Sequence, residues 1–237
     1  METLPLREAF VRRDKRFALL EKGIEKAGWL EDKSLRLLEV GCAQGDASLH
    51  LEGLGFKELT AVDLDGEAVR EAAGRGGSCR FIQADACRLP FEENSFDGIF
   101  SEAAFALIPR KDKAAEEYRR ILRPGGRVLI NDFMLRTKTE SPRKSVQGIP
   151  CLEGVQDMDS YLQVFSEAGF DCVYKAEEFL ELVRIALSLS RTYGIAPDRV
   201  GSYLVSAFGR DEFVNDFFSQ TQMSYCQLVF EKRKEHE

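Results

Sequence analysis

Short apolar runs and amphipathic helical segments alternate along the first two thirds of the chain. The apolar runs predict strands at 35–40, 58–63, 80–84, 96–101 and 127–133. Apolar residues at helical spacing predict helices at about 12–28, 46–54 and 111–122, with a further helix that ends at the glycines near 74–77. Because strands that alternate with helices form a parallel sheet covered on both faces, the pattern predicts an α/β fold.

The last third of the chain follows a different pattern. A helix is predicted at 160–168 and a strand at 170–174, and the spacing is then helical from 177 to about 219, with a break at Gly194–Pro197. A final strand is predicted at 225–230, so we interpret the helical block as an insertion before it. We expect a single domain over residues 1–237, made of a helical cap at 1–34, a core at 35–176, the insertion at 177–221 and the last strand at 222–232.

A chain of 237 residues with 44% hydrophobic and 31% charged residues can bury one sizeable core. The formal net charge of -7 disfavours nucleic acid as a partner, because that binding depends on neutralising phosphates. The N-terminus is charged and no apolar run is long enough to cross a bilayer, so we expect a cytoplasmic protein that does not bind membranes. The cysteines form no CxxC pair, so we expect reduced thiols and no metal site; they are Cys42, Cys79, Cys87, Cys151, Cys172 and Cys226.

The stretch LLEVGCAQGD, residues 37–46, is a buried strand that runs into a glycine-rich turn and a helix. Such a turn, with an acid ending the next strand, is shared by dinucleotide sites and S-adenosylmethionine sites. The dinucleotide fingerprint needs glycines where this chain has Ala43 and Asp46. A carboxylate at the helix N-terminus would repel a pyrophosphate while itself satisfying the helix end. S-adenosylmethionine carries a sulfonium and an ammonium but no phosphate, so Glu39 and Asp46 favour it.

Further motifs follow in order: AVDLD, FIQADACRLPFEENSFD, FDGIFSE and LRPGGRVLI. Together they resemble the class I S-adenosylmethionine-dependent methyltransferases over about 35–174 and the last strand. The resemblance implies a Rossmann-like, doubly wound, mostly parallel seven-stranded sheet whose last strand is antiparallel. It implies S-adenosylmethionine as cofactor, bound by the turn (Glu39, Gly41, Cys42, Ala43, Gly45), at the ribose hydroxyls (Asp63, Leu64), at the adenine (Asp85, Ala86) and at the methionine part (Ser101, Glu102).

Each of these residues also has a purely structural alternative. Asp63 could cap the next helix, and Asp85 could start the turn that follows it. Glu102 and Asp132 end predicted strands on the active face, so we consider them as catalytic carboxylates that could take a proton. Glu102 could equally bind the methionine ammonium. Neither of the 2 histidines of the chain, His50 and His236, lies where a catalytic base is expected.

The resemblance implies an enzyme that transfers a methyl group in line to a small-molecule acceptor. Residues 148–170 are similar to quinone-biosynthesis and arsenite-methylating enzymes, and the latter bind the metalloid through a cysteine at the position of Cys151. Because a soft metalloid needs several thiolates, arsenite methylation is the minor alternative. The main alternative is a sensor or scaffold that binds the cofactor without transferase activity. A nicotinamide dehydrogenase is a third alternative. The insertion could act as a lid or as a homodimer interface, and Phe10, Arg13 and Phe17 could close the other side of the site.

Overall fold

The computed structural model describes residues 11–136, 154–200 and 222–234. Its strands are β1 (Leu37–Val40), β2 (Leu59–Asp63), β3 (Arg80–Gln83), β4 (Phe96–Glu102), β5 (Leu122–Leu135), β6 (Gln156–Asp157), β7 (Phe170–Glu177) and β8 (Met223–Lys232). Its helices are α1 (Ala18–Lys26), α2 (Asp46–Gly53), α3 (Gly66–Gly74), α4 (Lys111–Ile121), α5 (Met158–Glu167) and α6 (Phe179–Tyr193). Short 3₁₀ helices cover Phe105–Leu107 and Pro197–Arg199.

The strands form one mixed sheet in the order β3-β2-β1-β4-β5-β8-β7. β1 is parallel to both β2 and β4, whereas β8 is antiparallel to both β5 and β7. This confirms the predicted doubly wound, mostly parallel sheet with an antiparallel last strand. The strand order reverses between β1 and β4, and in such sheets ligands bind at that point, beyond the carboxyl ends of the strands.

The sheet differs from the prediction at two points around β5. The two-residue strand β6 pairs with the end of β5 and makes the sheet eight-stranded rather than seven-stranded. The sequence RPGG ends α4 as expected, but β5 already begins at Leu122 and includes these residues. Tertiary pairing explains both differences: Phe96 of β4 pairs with Leu122 at the start of β5, and Gln156 pairs with Met134 near its end.

Buried apolar side chains cover both faces of the sheet. One face carries an aromatic cluster of Phe105, Tyr118, Tyr161 and Phe165 from α4, α5 and the turn after β4. The opposite face packs against α1 and α2, whose buried residues include Leu20, Ile24 and Leu51. β1 is buried along its whole length, and its one polar side chain, Glu39, is buried with the apolar ones.

The cap and the insertion lie near the carboxyl edge of β5. The predicted first helix is shorter than expected, since α1 begins at Ala18 and residues 13–17 form bends and turns. We call residues 11–17 the N-terminal segment. α6 packs apolar residues such as Leu182 and Ile185 into a cluster with Phe133 and Tyr225, and it ends at Gly194, which confirms the predicted break. The rest of the predicted insertion, residues 201–221, lies outside the described residues.

Candidate functional site

The turn between β1 and α2 requires glycine at two positions. Gly41 has φ +82°, and a Cβ atom there would lie 2.2 Å from the Cβ of Ala104. Gly45 has φ +75°, and a Cβ atom there would lie 2.5 Å from the ring of Phe81. Ala43 lies between them with φ +45°, a left-handed conformation that is costly for a residue with a side chain. The turn therefore brings its backbone close to neighbouring elements.

Two adjoining cavities lie beyond the carboxyl ends of the strands, on either side of the turn. We call them the first cavity, of about 280 Å³, and the second cavity, of about 520 Å³. Residues shared by both linings are Gly41, Asp63, Ala104 and Leu107. Of the predicted site residues, the first cavity has Glu39, Gly41, Cys42, Ala43, Asp63 and Glu102. The second has Gly41, Asp63, Leu64, Asp85 and Ala86.

Two carboxyl groups characterise the first cavity, the buried Glu39 and the half-buried Glu102. Glu39 is 2% exposed and accepts hydrogen bonds from the backbone N–H of Ser48 at 3.0 Å and from its hydroxyl. Burial raises the pKa of Glu39 to about 8, although the Ser48 hydroxyl opposes the shift. Burial likewise raises the pKa of Glu102 to about 7 against the opposing charge of Arg13, and the side chain of Asn131 donates to this carboxylate. Both carboxyls would therefore gain from a cation in the cavity.

Asp46 is the first residue of α2, as predicted, but its charge is not directed at a ligand alone. Its carboxylate forms ion pairs with Arg16 at 2.6 Å and Arg75 at 2.5 Å. Burial raises the pKa of Asp46, but the hydrogen bonds from these two arginines outweigh it, so the pKa is lowered. Glu39, rather than Asp46, accepts the backbone N–H of Ser48 in the first turn of α2. The negative charge of the first cavity therefore comes mainly from Glu39 and Glu102, which corrects the role expected for Asp46.

In the second cavity, backbone N–H groups orient the carboxylates. Asp63 accepts from the N–H of Ala43 at 2.8 Å through one oxygen and from the N–H of Asp65 at 2.9 Å through the other. Each oxygen keeps a further lone pair, which suits two adjacent hydroxyls. Asp85 is exposed and accepts from the N–H of Cys87 at 2.8 Å, so it forms the turn considered as its structural alternative and also lines the cavity.

Three predicted site residues line neither cavity: Gly45, Ser101 and Asp132. Ser101 is fully buried, and its hydroxyl makes no hydrogen bond within the part of the chain described. Asp132 is also fully buried, and its carboxylate accepts from the N–H of Ala106 at 2.8 Å and of Phe133 at 2.7 Å. Asp132 therefore uses its carboxylate to hold backbone groups inside the protein, and its role as a catalytic base stays a prediction.

The N-terminal segment covers the first cavity through Val11, Arg13, Arg16 and Phe17. Arg13 forms a buried ion pair with Glu181 of α6, and Phe17 stacks on His50 of α2 at 4.0 Å. The expectation that Arg13 and Phe17 lie at the site agrees with this geometry, whereas Phe10 lies outside the described residues. Sequence reasoning did not anticipate Arg16, Ala103, Leu107 or Phe133 in the linings, because chain folding alone brings them there.

Other sequence-based expectations concern metals and membranes. Within residues 11–136, 154–200 and 222–234, no group of three or more His, Cys, Asp or Glu side chains could hold a metal ion. Within the same ranges no helix has both the length and the apolar character needed to cross a membrane. Cys151 lies outside the described residues, so its proposed contact with a metalloid stays a prediction.

The comparisons with known proteins agree with this geometry. The model of the methyltransferase domain family matches residues 38–130. An uncharacterised protein of Haemophilus influenzae is 32% identical over 62% of each chain. The ubiquinone/menaquinone C-methyltransferase UbiE of Azotobacter vinelandii is 30% identical over 50% of this chain and 47% of its own length. The chain thus spans less than two thirds of the length of each of these curated relatives.

Solved structures share the fold at lower identity. The [4+2]-cyclase SpnF is 20% identical, with a TM-score of 0.72 over 98% of this chain and 92% of its own. Phosphoethanolamine N-methyltransferase 2 of Haemonchus contortus, solved with S-adenosyl-L-methionine, is 19% identical, with a TM-score of 0.67 over 96% of this chain and 60% of its own. The family match covers the turn, Asp63, Asp85 and Glu102. Residues 38–130 are therefore similar to the methyltransferase domain family, and the chain shares its fold with the solved structures above.

Proposed function

We propose that this protein binds S-adenosylmethionine across the two cavities and transfers its methyl group to a small molecule. The observation that carries the proposal is the pair of carboxyls with raised pKa values in the first cavity, the buried Glu39 and the half-buried Glu102. A buried carboxyl with a raised pKa is stabilised as the anion by a nearby cation. The methionine end of the cofactor carries such charges, whereas a dinucleotide would bring phosphates.

The division of the linings supports one orientation of the cofactor. The second cavity would hold the adenosine, with Asp63 accepting from the ribose hydroxyls and Asp85 from the adenine amino group. The turn from Gly41 to Ala43 would pass beside the sulfonium, and the first cavity would hold the methionine group. When bound, the cofactor supplies an activated methyl group, so the task of the protein is to align a nucleophile about 3 Å from the methyl carbon.

Glu102 is our choice for the residue that acts on the reacting groups. Its carboxyl lines the first cavity and is held by the side-chain amide of Asn131. With a pKa of about 7, it can exchange a proton near neutral pH. It would bind the methionine ammonium or take the proton of the acceptor, and the N-terminal segment above it would exclude water.

Titration and turnover test this proposal. Isothermal titration calorimetry should detect micromolar binding of S-adenosylhomocysteine and no binding of NAD. Labelled S-adenosylmethionine should then transfer its methyl group to a member of a panel of quinols, small amines and arsenite with thiol. Binding of NAD alone would exclude the cofactor assignment.

Methyl transfer to no member of a broad panel would favour a second function. The related fold of SpnF belongs to a protein named as a cyclase, so the fold also serves chemistry other than methyl transfer. Tight binding of S-adenosylhomocysteine without turnover would therefore indicate a cofactor-dependent sensor, scaffold or enzyme of another class.

A further inference from the structure

A buried lysine and a buried aspartate converge on the single turn that follows β4. The ammonium of Lys111 donates to the carbonyl oxygens of Ala106 at 2.8 Å and Ile108 at 2.9 Å. The carboxylate of Asp132 accepts the N–H of Ala106 at 2.8 Å. Lys111 is 6% exposed and Asp132 is 0% exposed. The peptide groups on both sides of Ala106 are therefore held by opposite charges from α4 and β5.

This turn forms the wall where the two cavities meet. Ala104 and Leu107 are shared by both linings, and Leu107 is 50% exposed. The turn also has no room to move toward the cofactor turn, because Ala104 lies against Gly41. On its other side, a Cβ atom at Gly154 would lie 2.0 Å from the carbonyl oxygen of Ala106. A small displacement of the turn would therefore change the shape of both cavities together.

Stability alone does not account for two charged groups at this position. Burial of charged side chains carries a desolvation cost that apolar residues of similar size avoid. The neighbouring aromatic cluster, with Phe105 in contact with Tyr161, shows that apolar packing is available on this face. A short 3₁₀ turn has weak internal hydrogen bonds. The two charged side chains supply stronger hydrogen bonds, each to one backbone donor or acceptor of the turn, and so orient its peptide groups.

We propose that Lys111 and Asp132 are positioning residues that fix the turn Phe105–Leu107 and so hold Ala104 and Leu107 at the junction of the two cavities. The proposal rests on the proposed function in one respect: the junction is where the adenosine and methionine parts of the cofactor would meet. Neither residue lines either of the two cavities. Each acts through the backbone of Ala106.

Two variants and their combination test the pair. Lys111→Met removes the donors to two buried carbonyls, and Asp132→Asn replaces one acceptor by a donor that faces backbone N–H groups. We expect amide hydrogen exchange at Ala106 and Ile108 to become at least about tenfold faster in the unliganded protein, with exchange in β1 and β2 unchanged. The affinity for S-adenosylhomocysteine should fall about tenfold, as one lost hydrogen bond to a charged group predicts. Because both residues hold one turn, the double variant should lose less than the product of the two single losses.

Matched controls exclude general effects of charge and of folding. Lys113→Met and Asp112→Asn change exposed residues at the start of the same helix, and both should leave exchange and affinity unchanged. If the buried variants do not fold, Gly154→Ala moves the turn without a change of charge and should reduce the affinity similarly. Gly53→Ala is its control, because a Cβ atom there has nothing within 4 Å.

The outcomes separate this inference from the proposed function. Unchanged amide exchange at Ala106 in the folded variants would show that Lys111 and Asp132 do not fix the turn. Faster exchange with an unchanged affinity for S-adenosylhomocysteine would show that the turn does not shape the site. Failure of the unsubstituted protein to bind S-adenosylhomocysteine would refute the proposed function and the positioning role with it, while the exchange data would still decide whether the two residues hold the turn.

Discussion

The two cavities hold carboxyl groups in different environments. In the first cavity, Glu39 is buried and Glu102 is half-buried, and burial raises both pKa values. In the second, Asp63 is half-buried and Asp85 is exposed, and both accept backbone N–H groups of neighbouring turns. The ionisation of a carboxyl with a raised pKa depends on the charge of a nearby ligand. A carboxylate that is oriented by backbone N–H groups instead recognises the direction of the hydrogen-bond donors on a ligand.

This difference indicates how one pocket distinguishes its ligand. The second cavity would recognise an adenosine, a group that many cofactors share. The first cavity would select the cationic end that sets S-adenosylmethionine apart from dinucleotides. Variants in the two cavities should therefore change different properties of binding, and the substitutions below test that separation.

The largest effect is expected at Gly41, where the two cavities meet. In Gly41→Ala the new Cβ atom would lie 2.2 Å from the Cβ of Ala104, at a φ of +82°. Overpacking of this kind costs about 1–3 kcal/mol, and the left-handed backbone about 1–2 kcal/mol more. We expect the affinity for S-adenosylhomocysteine to fall by roughly a hundredfold or more, as measured by calorimetry.

Gly76→Ala is the matched control for this prediction. Gly76 has a φ of +83°, but a Cβ atom there has nothing within 4 Å. This variant should lose stability through the backbone alone and keep its affinity for the ligand. Equal losses of affinity in the two variants would mean that the contact with Ala104 does not shape the site.

A smaller effect is expected from Asp63 in the second cavity. Hydrogen bonds to charged groups contribute about 1.5–3 kcal/mol, so Asp63→Ala should weaken binding of S-adenosylhomocysteine by roughly tenfold to a hundredfold. Adenosine, which lacks the methionine group, should lose the same factor. Competition calorimetry with both ligands measures this. An unchanged adenosine affinity would show that the ribose does not lie against Asp63.

The positions that the sequence predicts well are those that local chemistry determines. The turn at Gly41, the acid at the end of β2 and the alternation of strands and helices all follow from spacing within a few residues. They appear in the structure where they were expected, and Asp46 does begin α2. What spacing could not show is that Arg16 and Arg75 neutralise Asp46, since both lie about 30 residues away in the chain.

Burial and long-range pairing determine what the sequence pattern cannot predict. Asp132 lies near the end of a predicted apolar strand, and only the folded chain shows that its carboxylate accepts the N–H of Ala106. The strand β6 could not be predicted, because a strand of two residues is too short to show a periodic pattern of apolar residues. The raised pKa of Glu102 likewise depends on the surrounding fold, including Arg13 and Glu181 from distant segments. The sequence can therefore identify a carboxylate as a candidate site residue, but its protonation state depends on the folded structure.

A third test uses pH to distinguish the cavities. Between the ordinary pKa of 4.5 and the raised values of about 7 and 8, Glu102 and Glu39 keep protons in the folded protein that they release in the unfolded chain. The free energy of unfolding without ligand should therefore decrease as the pH rises through this range. A cationic ligand favours the ionised carboxyls, so its affinity should increase from pH 6 to pH 8, by at most about tenfold per pH unit for each group.

Glu102→Gln should remove part of this dependence. The variant cannot ionise at residue 102, so its affinity for S-adenosylhomocysteine should rise less steeply with pH, while its affinity for adenosine should match that of the unsubstituted protein. Calorimetry in two buffers with different ionisation enthalpies would also detect fewer protons released on binding. An identical pH profile for the variant would mean that Glu102 does not sense the charge of the ligand.

The smallest expected effect concerns Ala43, whose N–H links the turn to Asp63. At its φ of +45° a glycine would adopt the same backbone without steric cost. Ala43→Gly should therefore raise the free energy of unfolding by up to about 1 kcal/mol in urea titrations, less the extra entropy that glycine gives the unfolded chain. Ala68→Gly, in the regular helix α3, should lower it by about 1 kcal/mol. If both variants lost stability equally, the turn would hold no strain. A higher free energy of unfolding for Ala43→Gly, with an unchanged affinity for S-adenosylhomocysteine, would instead show that both cavities depend on the backbone conformation of the turn and not on the side chain at its centre.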